Sequence, residues 1–312
     1  MLDLTFLNEK QVYGDIFRKK QLEIFRKYGM ISGVTDFAIL LGCSTVDFSC
    51  NSDGTRMRDR GSYWWLSTND GDGDAYLVDP IGERAWENVC SRRIGARPAT
   101  TYTKISNKVV NERINKCGIK EVEFGEYPQW VVIDVFDLEK AYNQKKLKET
   151  GKIYTTDSAS YLDTDACFSP MTHIEYEYNG CKYIRFVSKN NDSRLALSNY
   201  RLVQRRGIYW LKVKPIIWLV DEKNDIALSK YILFSGVQFK SWRNYEGDFS
   251  KTGIKQFMDD YLAKEIICNN EYLCYNRNLS KKESFDIDSI FEEAIRRMNE
   301  INKDEAKVKV LK

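Results

Sequence analysis

The stretch THIEYEYNGCKYIRFVS, residues 172–188, restricts the fold most tightly. Residues alternate with the period of a β-strand, meet Asn179-Gly180, and alternate again. Asn-Gly accepts the positive φ angles of a two-residue turn whose twist matches its flanking strands, so this segment predicts an antiparallel hairpin. GIYWLKVKPIIWLVD (207–221) and DIALSK (225–230) extend the same chemistry. Earlier, YWWLST (63–68) and AYLVD (75–79) predict two strands around an acidic loop, and RRIGARPA (92–99) a further strand ended by Pro98. DFAILLG (36–42) is a short continuous apolar run and reads as a buried strand. EVEFGEYPQWVVIDVF (121–136) reads as strand again, with Gly125 and Pro128 as turn residues.

Helices are expected around these strands. Residues 8–28 carry a capping box, Asn8 with Gln11, and an apolar side that Gly29 closes. DLEKAYNQKKLKETG (137–151) reads as a helix capped by Asp137 and stopped at Gly151, and 252–266 as another by the spacing of Ile254, Phe257, Met258, Tyr261 and Leu262. Near the C-terminus Ile287, Ile290, Phe291, Ala294, Ile295, Met298 and Ile301 form one amphipathic stripe. Strands dominate the middle and helices the ends, an α+β pattern. The polar stretch 100–120 suggests a boundary. Three segments result: 1–120 with the WWL and GARP strands, 121–283 with FGEYPQ, the hairpin and the IIWLV strand, and 284–312 as terminal helix and charged tail.

Composition excludes more than it identifies. With 312 residues and 43% hydrophobic content the chain can bury a full core. Its 48 basic and 45 acidic residues leave a net charge of +3, too little to argue for nucleic acid or an anionic membrane. No apolar run approaches a membrane span, no Gly-rich phosphate loop follows a strand, and the N-terminus lacks a signal peptide's pattern. Eight cysteines form no C-x-x-C pair, and His173 is the single histidine. Free thiols in a cytoplasmic protein are the expectation.

YWWLSTND…AYLVDPIGE…RRIGARPA resembles the closing half of bacterial C-type-lectin-like domains, a group that includes the formylglycine-generating (sulfatase-modifying) enzymes. FGEYPQ (124–129), PIIWLVDEKNDIALSKYIL (215–233) and 241–262 resemble further blocks of an uncharacterised branch of that group, where FGEYPQ opens the domain. Here the closing half comes first. The resemblance implies a C-type-lectin-like α+β fold of mixed antiparallel sheets with flanking helices, either circularly permuted or built from two related units.

Several constellations invite chemistry. Asp70, Asp72 and Asp74 have the spacing of a calcium loop, yet Ala75 stands where glycine is needed and Ile81 where a bidentate glutamate is needed. An acidic surface turn is expected, with metal only a weak alternative and no cofactor. His173, Glu175 and Glu177 share one face of a strand, with Ile174, Tyr176 and Tyr178 expected on the core face. Arg97 is expected to pair inside the fold and Arg92 and Arg93 to be solvated, while Arg201, Arg205 and Arg206 form a second basic group. Most tryptophans, Trp86 included, are expected in the core. Trp242, Arg243 and Tyr245 lie in a polar segment with the composition of an interaction hot spot.

The sequence reading that follows is a non-catalytic protein that binds a macromolecular partner, expected to be protein, through loops at 67–75 and 239–250. Nucleic acid would enter only through a nucleoprotein complex. One alternative is a formylglycine-generating-like thiol oxidase, for which Cys43/Cys50 and Cys268/Cys274 are the nearest pairs in sequence. Another is a phage or mobile-element inhibitor of a host defence nuclease complex.

Overall fold

The computed structural model describes residues 2–13, 32–46, 61–69, 73–80, 82–115, 118–160, 162–163, 165–190, 192, 195–199, 201–239 and 248–267. The chain divides into two compact units, Met1–Cys268 and Asn269–Lys312. All described residues belong to the first, so the expected C-terminal helix lies outside them. The fold is α+β, mostly antiparallel sheet with short helices.

The capping box forms at the start of α1 (Glu9–Tyr13): Asn8 N–H donates to Gln11 Oε1, and Gln11 N–H to Asn8 Oδ1, both at 2.8 Å. The remainder of the expected 8–28 helix lies outside the described residues. DFAILLG is a helix, not a strand. In α2 (Asp36–Leu41), Thr35 caps the N-terminus by accepting from Ala38 N–H at 3.2 Å, and Gly42 closes the other end at φ 115°. Asp36 accepts from Val131 N–H at 2.9 Å and Ser198 N–H at 2.7 Å. Every residue of α2 is buried. A helix buried on all sides has no polar face to reveal its period, so the apolar run alone resembles a strand.

β1 (Thr45–Val46) and β2 (Gly61–Ser62) form a small ribbon. β3 (Trp64–Asn69), β4 (Asp74–Val78) and β5 (Arg84–Asn88) form a three-stranded antiparallel sheet in that order. The expected RRIGARPA strand is instead a crossing segment. Gly95 pairs with Trp64 and Ala96 with Phe234, which ties the small sheet to the larger core. Both flanking arginines, Arg92 and Arg97, turn into the interior. Pro98 precedes a strand, β6 (Ala99–Thr101), and does not end one.

The main sheet has eight strands: β6, β7 (Asn111–Ile114), β8 (Lys120–Val131), β9 (Lys148–Asp157), β10 (Pro170–Tyr178), β11 (Cys181–Val187), β12 (Ile208–Asp221) and β13 (Ile226–Ser229). β12 is its spine. One edge pairs with β8 along most of its length; the other pairs first with β11 and then with β13. β10 and β9 continue beyond β11, β6 beyond β13, and β7 beyond β8. Strands from residues 1–120 and from beyond 120 therefore share one sheet.

Gly125 and Pro128 are not turn residues but lie within the single strand β8. Its register against β12 shifts twice, each time with the extra residue on β8, which marks two β-bulges. Gly125 adopts φ 70°, and a Cβ there would stand 2.3 Å from Ile266 Cγ2. The bulge thus lets α4 (253–266), which follows the N-cap Thr252 and contains a π-helical turn at Met258–Leu262, approach β8 closely.

The Asn179-Gly180 hairpin forms as expected, with Tyr178 paired to Cys181 and both turn residues at positive φ. The 137–151 helix is shorter than expected. α3 (Phe136–Asn143) is followed by Lys145 at φ 54°, and β9 continues past Gly151, which takes φ 82° where the register against β10 shifts.

Candidate partner-binding surfaces

Of the loop residues singled out in the sequence, Asp74 is described. It opens β4, half-buried, opposite Asn88 of β5. Asp70, Asp72, Trp242, Arg243 and Tyr245 lie outside the described residues. Arg205 and Arg206 are exposed in the turn ahead of β12, where Arg206 takes φ 58° and Gly207 N–H donates to Gln204 O at 2.9 Å. Asp74 belongs to the small sheet, and the arginines precede the spine of the large one.

The His173 face of β10 is the buried one, which reverses the expectation. His173 and Glu175 face the core, while Ile174 on the opposite face is exposed. Hydrogen bonds account for the inversion, because buried polar groups persist when satisfied. His173 Nε2 meets Thr156 Oγ1 at 2.9 Å, and its ring lies 5.0 Å from that of Phe186. Burial, reinforced by Lys189, pushes the imidazole down to about 4. Glu175 accepts from Tyr154 Oη at 2.6 Å and Thr150 Oγ1 at 2.8 Å.

Arg92 is also buried, not solvated. Its guanidinium pairs with Asp157 and donates to three carbonyls, Asp163 at 2.8 Å, Gly236 at 3.0 Å and Ala166 at 2.5 Å. A fork of five donors suits this role, fastening the loop after β9 to the core. Arg97 is buried as expected. It donates to Ser229 O at 2.8 Å and lies over the Trp64 ring at 5.0 Å, and burial lowers it to about 9. Beside this seam Glu265 of α4 accepts from Thr155 N–H of β9 at 2.7 Å. Burial pushes its carboxyl up to about 7, opposed by the Thr155 hydrogen bond and Lys152. Glu265 Oε2 and Tyr127 Oη are buried with no hydrogen-bond partner.

The opposite face of β9–β12 is the more exposed one. α3 lies on part of it: Tyr142 meets Tyr176 and Trp210 edge-on at 5.7 and 5.8 Å, Arg185 stacks over Tyr142 at 4.9 Å, and Glu139 accepts from Trp210 Nε1 at 2.7 Å. Past α3, two cross-strand pairs, Ile153 with Ile174 and Val187 with Ile208, carry the same face into solvent. With Ile133 and Phe136 on the segment entering α3, these side chains are 39–71% exposed. Apolar side chains held at fixed register on rigid strands suit a macromolecular contact.

Trp86 was expected in the core and is instead 65% exposed on β5. The sequence did carry a signal: RAWEN is short and charged around one aromatic, as edge strands are.

Cys43 and Cys90 are buried, Cys167 is exposed and Cys181 half-buried. Burial pushes the Cys43 thiol up to about 12. Its sequence neighbour Cys50, like Cys268 and Cys274, lies outside the described residues. Among the described residues no three His, Cys, Asp or Glu side chains gather to hold a metal, and no helix is long and apolar enough to cross a membrane. A concavity between β7 and β8, lined in part by Arg113, Glu121 and Ile217, has a volume of about 10 Å³, room for about one water.

Fold and surfaces together define an α+β chain, mostly antiparallel sheet, with an exposed apolar strip on one sheet face. Compared with protein-family models, curated proteins and solved structures, the chain matches none.

Proposed function

We propose that this protein is a non-catalytic recognition protein that binds a macromolecular partner, a protein, on a C-type-lectin-like scaffold in permuted order. The observation that carries the reading is the exposed apolar strip of Ile153, Ile174, Val187 and Ile208 beside α3. Burying such a strip stabilises a complex by roughly 25 cal/mol per Å² of apolar area, less the costs of association. The scaffold part rests on the motif blocks, and fold likeness alone does not settle function. The burial of Trp64, Trp65 and Arg97 in one core supports it.

The acidic turn around Asp70, Asp72 and Asp74, the segment with Trp242, Arg243 and Tyr245, and the Arg205-Arg206 turn are proposed as further contacts. The test is affinity capture with the wild-type chain and an Ile174→Asp/Ile208→Asp variant, read by mass photometry of the purified complex. A defined complex lost in the variant is expected. Turnover of a substrate by a chain that captures nothing would overturn the reading. A nucleoprotein partner, such as a guide–nuclease complex, would be recognised by its nuclease-sensitive mass.

A further inference from the structure

Strand β5 lies at the edge of the small sheet, and its backbone directions are fixed by its neighbour. Asp79 N–H donates to Glu83 O at 2.8 Å, and Val89 N–H to Gly73 O at 3.0 Å. Between these ends Leu77 pairs with Ala85 and Ala75 with Glu87. In an antiparallel ladder hydrogen-bonded pairs alternate with non-bonded ones. Residues 83, 85, 87 and 89 therefore direct their backbone groups at β4. Arg84 and Trp86 direct theirs outward, to an edge that no described strand covers.

Trp86 stands exposed on that edge. Its cross-strand partner Tyr76 lies beneath the Arg84 guanidinium at 5.3 Å. The surroundings are acidic. The described residues 73–80 and 82–89 hold Asp74, Asp79, Glu83 and Glu87 against one arginine, in a chain whose net charge is +3. Glu83 and Glu87 are exposed. Arg84, the local cation, is already paired with Glu9 of α1. Charged residues on an edge oppose pairing with an identical edge, so a second copy of this chain is not the occupant. The same charges favour a strand of opposite sign.

We infer that β5 is a docking edge for an extended Lys- or Arg-rich polypeptide segment. The segment adds as a fourth strand to the β3–β4–β5 sheet, bonded to the backbone of Arg84 and Trp86. One of its cations lies over the Trp86 ring and others meet Glu83 and Glu87. This inference rests on the recognition reading and names the chemistry of one partner segment.

The test is a fluorescence-anisotropy titration of the full chain with a labelled ten-residue peptide built on a Lys-Lys-Val repeat, which carries cations on both faces of an added strand, because Trp86 and the pair Glu83 and Glu87 lie on opposite faces of β5. A peptide with glutamate for lysine serves as control, as does a lysine peptide N-methylated at alternate backbone nitrogens. Saturable binding of the lysine peptide alone is expected, weakening as salt is raised. Trp86→Ala should weaken it about tenfold or more, and Glu83→Gln/Glu87→Gln about fivefold. Circular dichroism confirms that both variants fold. Equal binding of the N-methylated or glutamate peptide, or full affinity in Trp86→Ala, overturns the inference. If no basic peptide binds while affinity capture still depends on Ile174 and Ile208, the inference falls and the recognition reading stands. If neither assay yields a complex, both fall.

Discussion

Glu265 is the residue whose environment departs furthest from its sequence context. Nothing in DDYLAKEI marks a carboxylate as interior, yet it is buried against Thr155 and Tyr127. Its folded-state value of about 7 lies above the ordinary 4.5. The native state therefore binds more protons than the unfolded one across that window, and stability contributed by this group falls as pH rises from about 4.5 to about 7. His173 acts in the opposite sense, because its depressed value costs stability as pH falls from about 6.5 to about 4. The two overlap, so the prediction concerns a difference. Glu265→Gln keeps an acceptor for Thr155 N–H, and its stability relative to wild type should increase by about 3 kcal/mol between pH 4.5 and 8, measured by urea unfolding. A pH-independent difference would contradict this. Arg92 makes the complementary case. Arg92→Ala leaves Asp157 buried without its guanidinium and should cost about 3–5 kcal/mol in the same assay. The sequence placed Arg97 inside because a motif surrounded it. It missed Arg92, whose partners Asp157, Asp163, Ala166 and Gly236 are remote in the chain.

Elements with local signals were legible. The Asn179-Gly180 hairpin, the β12 run, the Thr252-capped helix and the Asn8/Gln11 box depend on near neighbours, and each forms where the residues say. Elements set by distant packing were not. α2 carries an N-cap threonine and a C-terminal glycine, but its apolar run of five, Phe37 to Leu41, hid the helical period. Gly125 and Pro128 lie at the two bulges of a single strand, and α4 packs closely on β8 at Gly125. Gly125→Val should accordingly destabilise by at least about 2 kcal/mol, through both its positive φ and the clash with Ile266. Between β3 and β4 the failed calcium positions predict no rise in melting temperature on calcium addition, checked by calorimetry with and without chelator. A calcium-dependent rise would return Asp70, Asp72 and Asp74 to the role of ligands.

At the scale of the whole molecule, β12 explains why residues 1–268 form a single unit. It draws β8 to one edge and both β11 and β13 to the other, so the early β6 and the late β9–β11 hairpins share one sheet. Alternating patterns announced antiparallel sheet, but strand order is invisible to local pattern, since any two alternating runs can pair. The exposed sheet faces were only partly legible for a related reason. A strand shows which residues share a face, not which face is buried, and β10 turned its His-Glu face inward.

The most direct test of the recognition account is quantitative affinity capture with wild type and the Ile174→Asp/Ile208→Asp variant, after matching their melting temperatures. The account predicts a stoichiometric partner with wild type and at least about tenfold weaker capture with the variant. Undiminished capture by the variant, or no partner beside measurable substrate turnover, would contradict it.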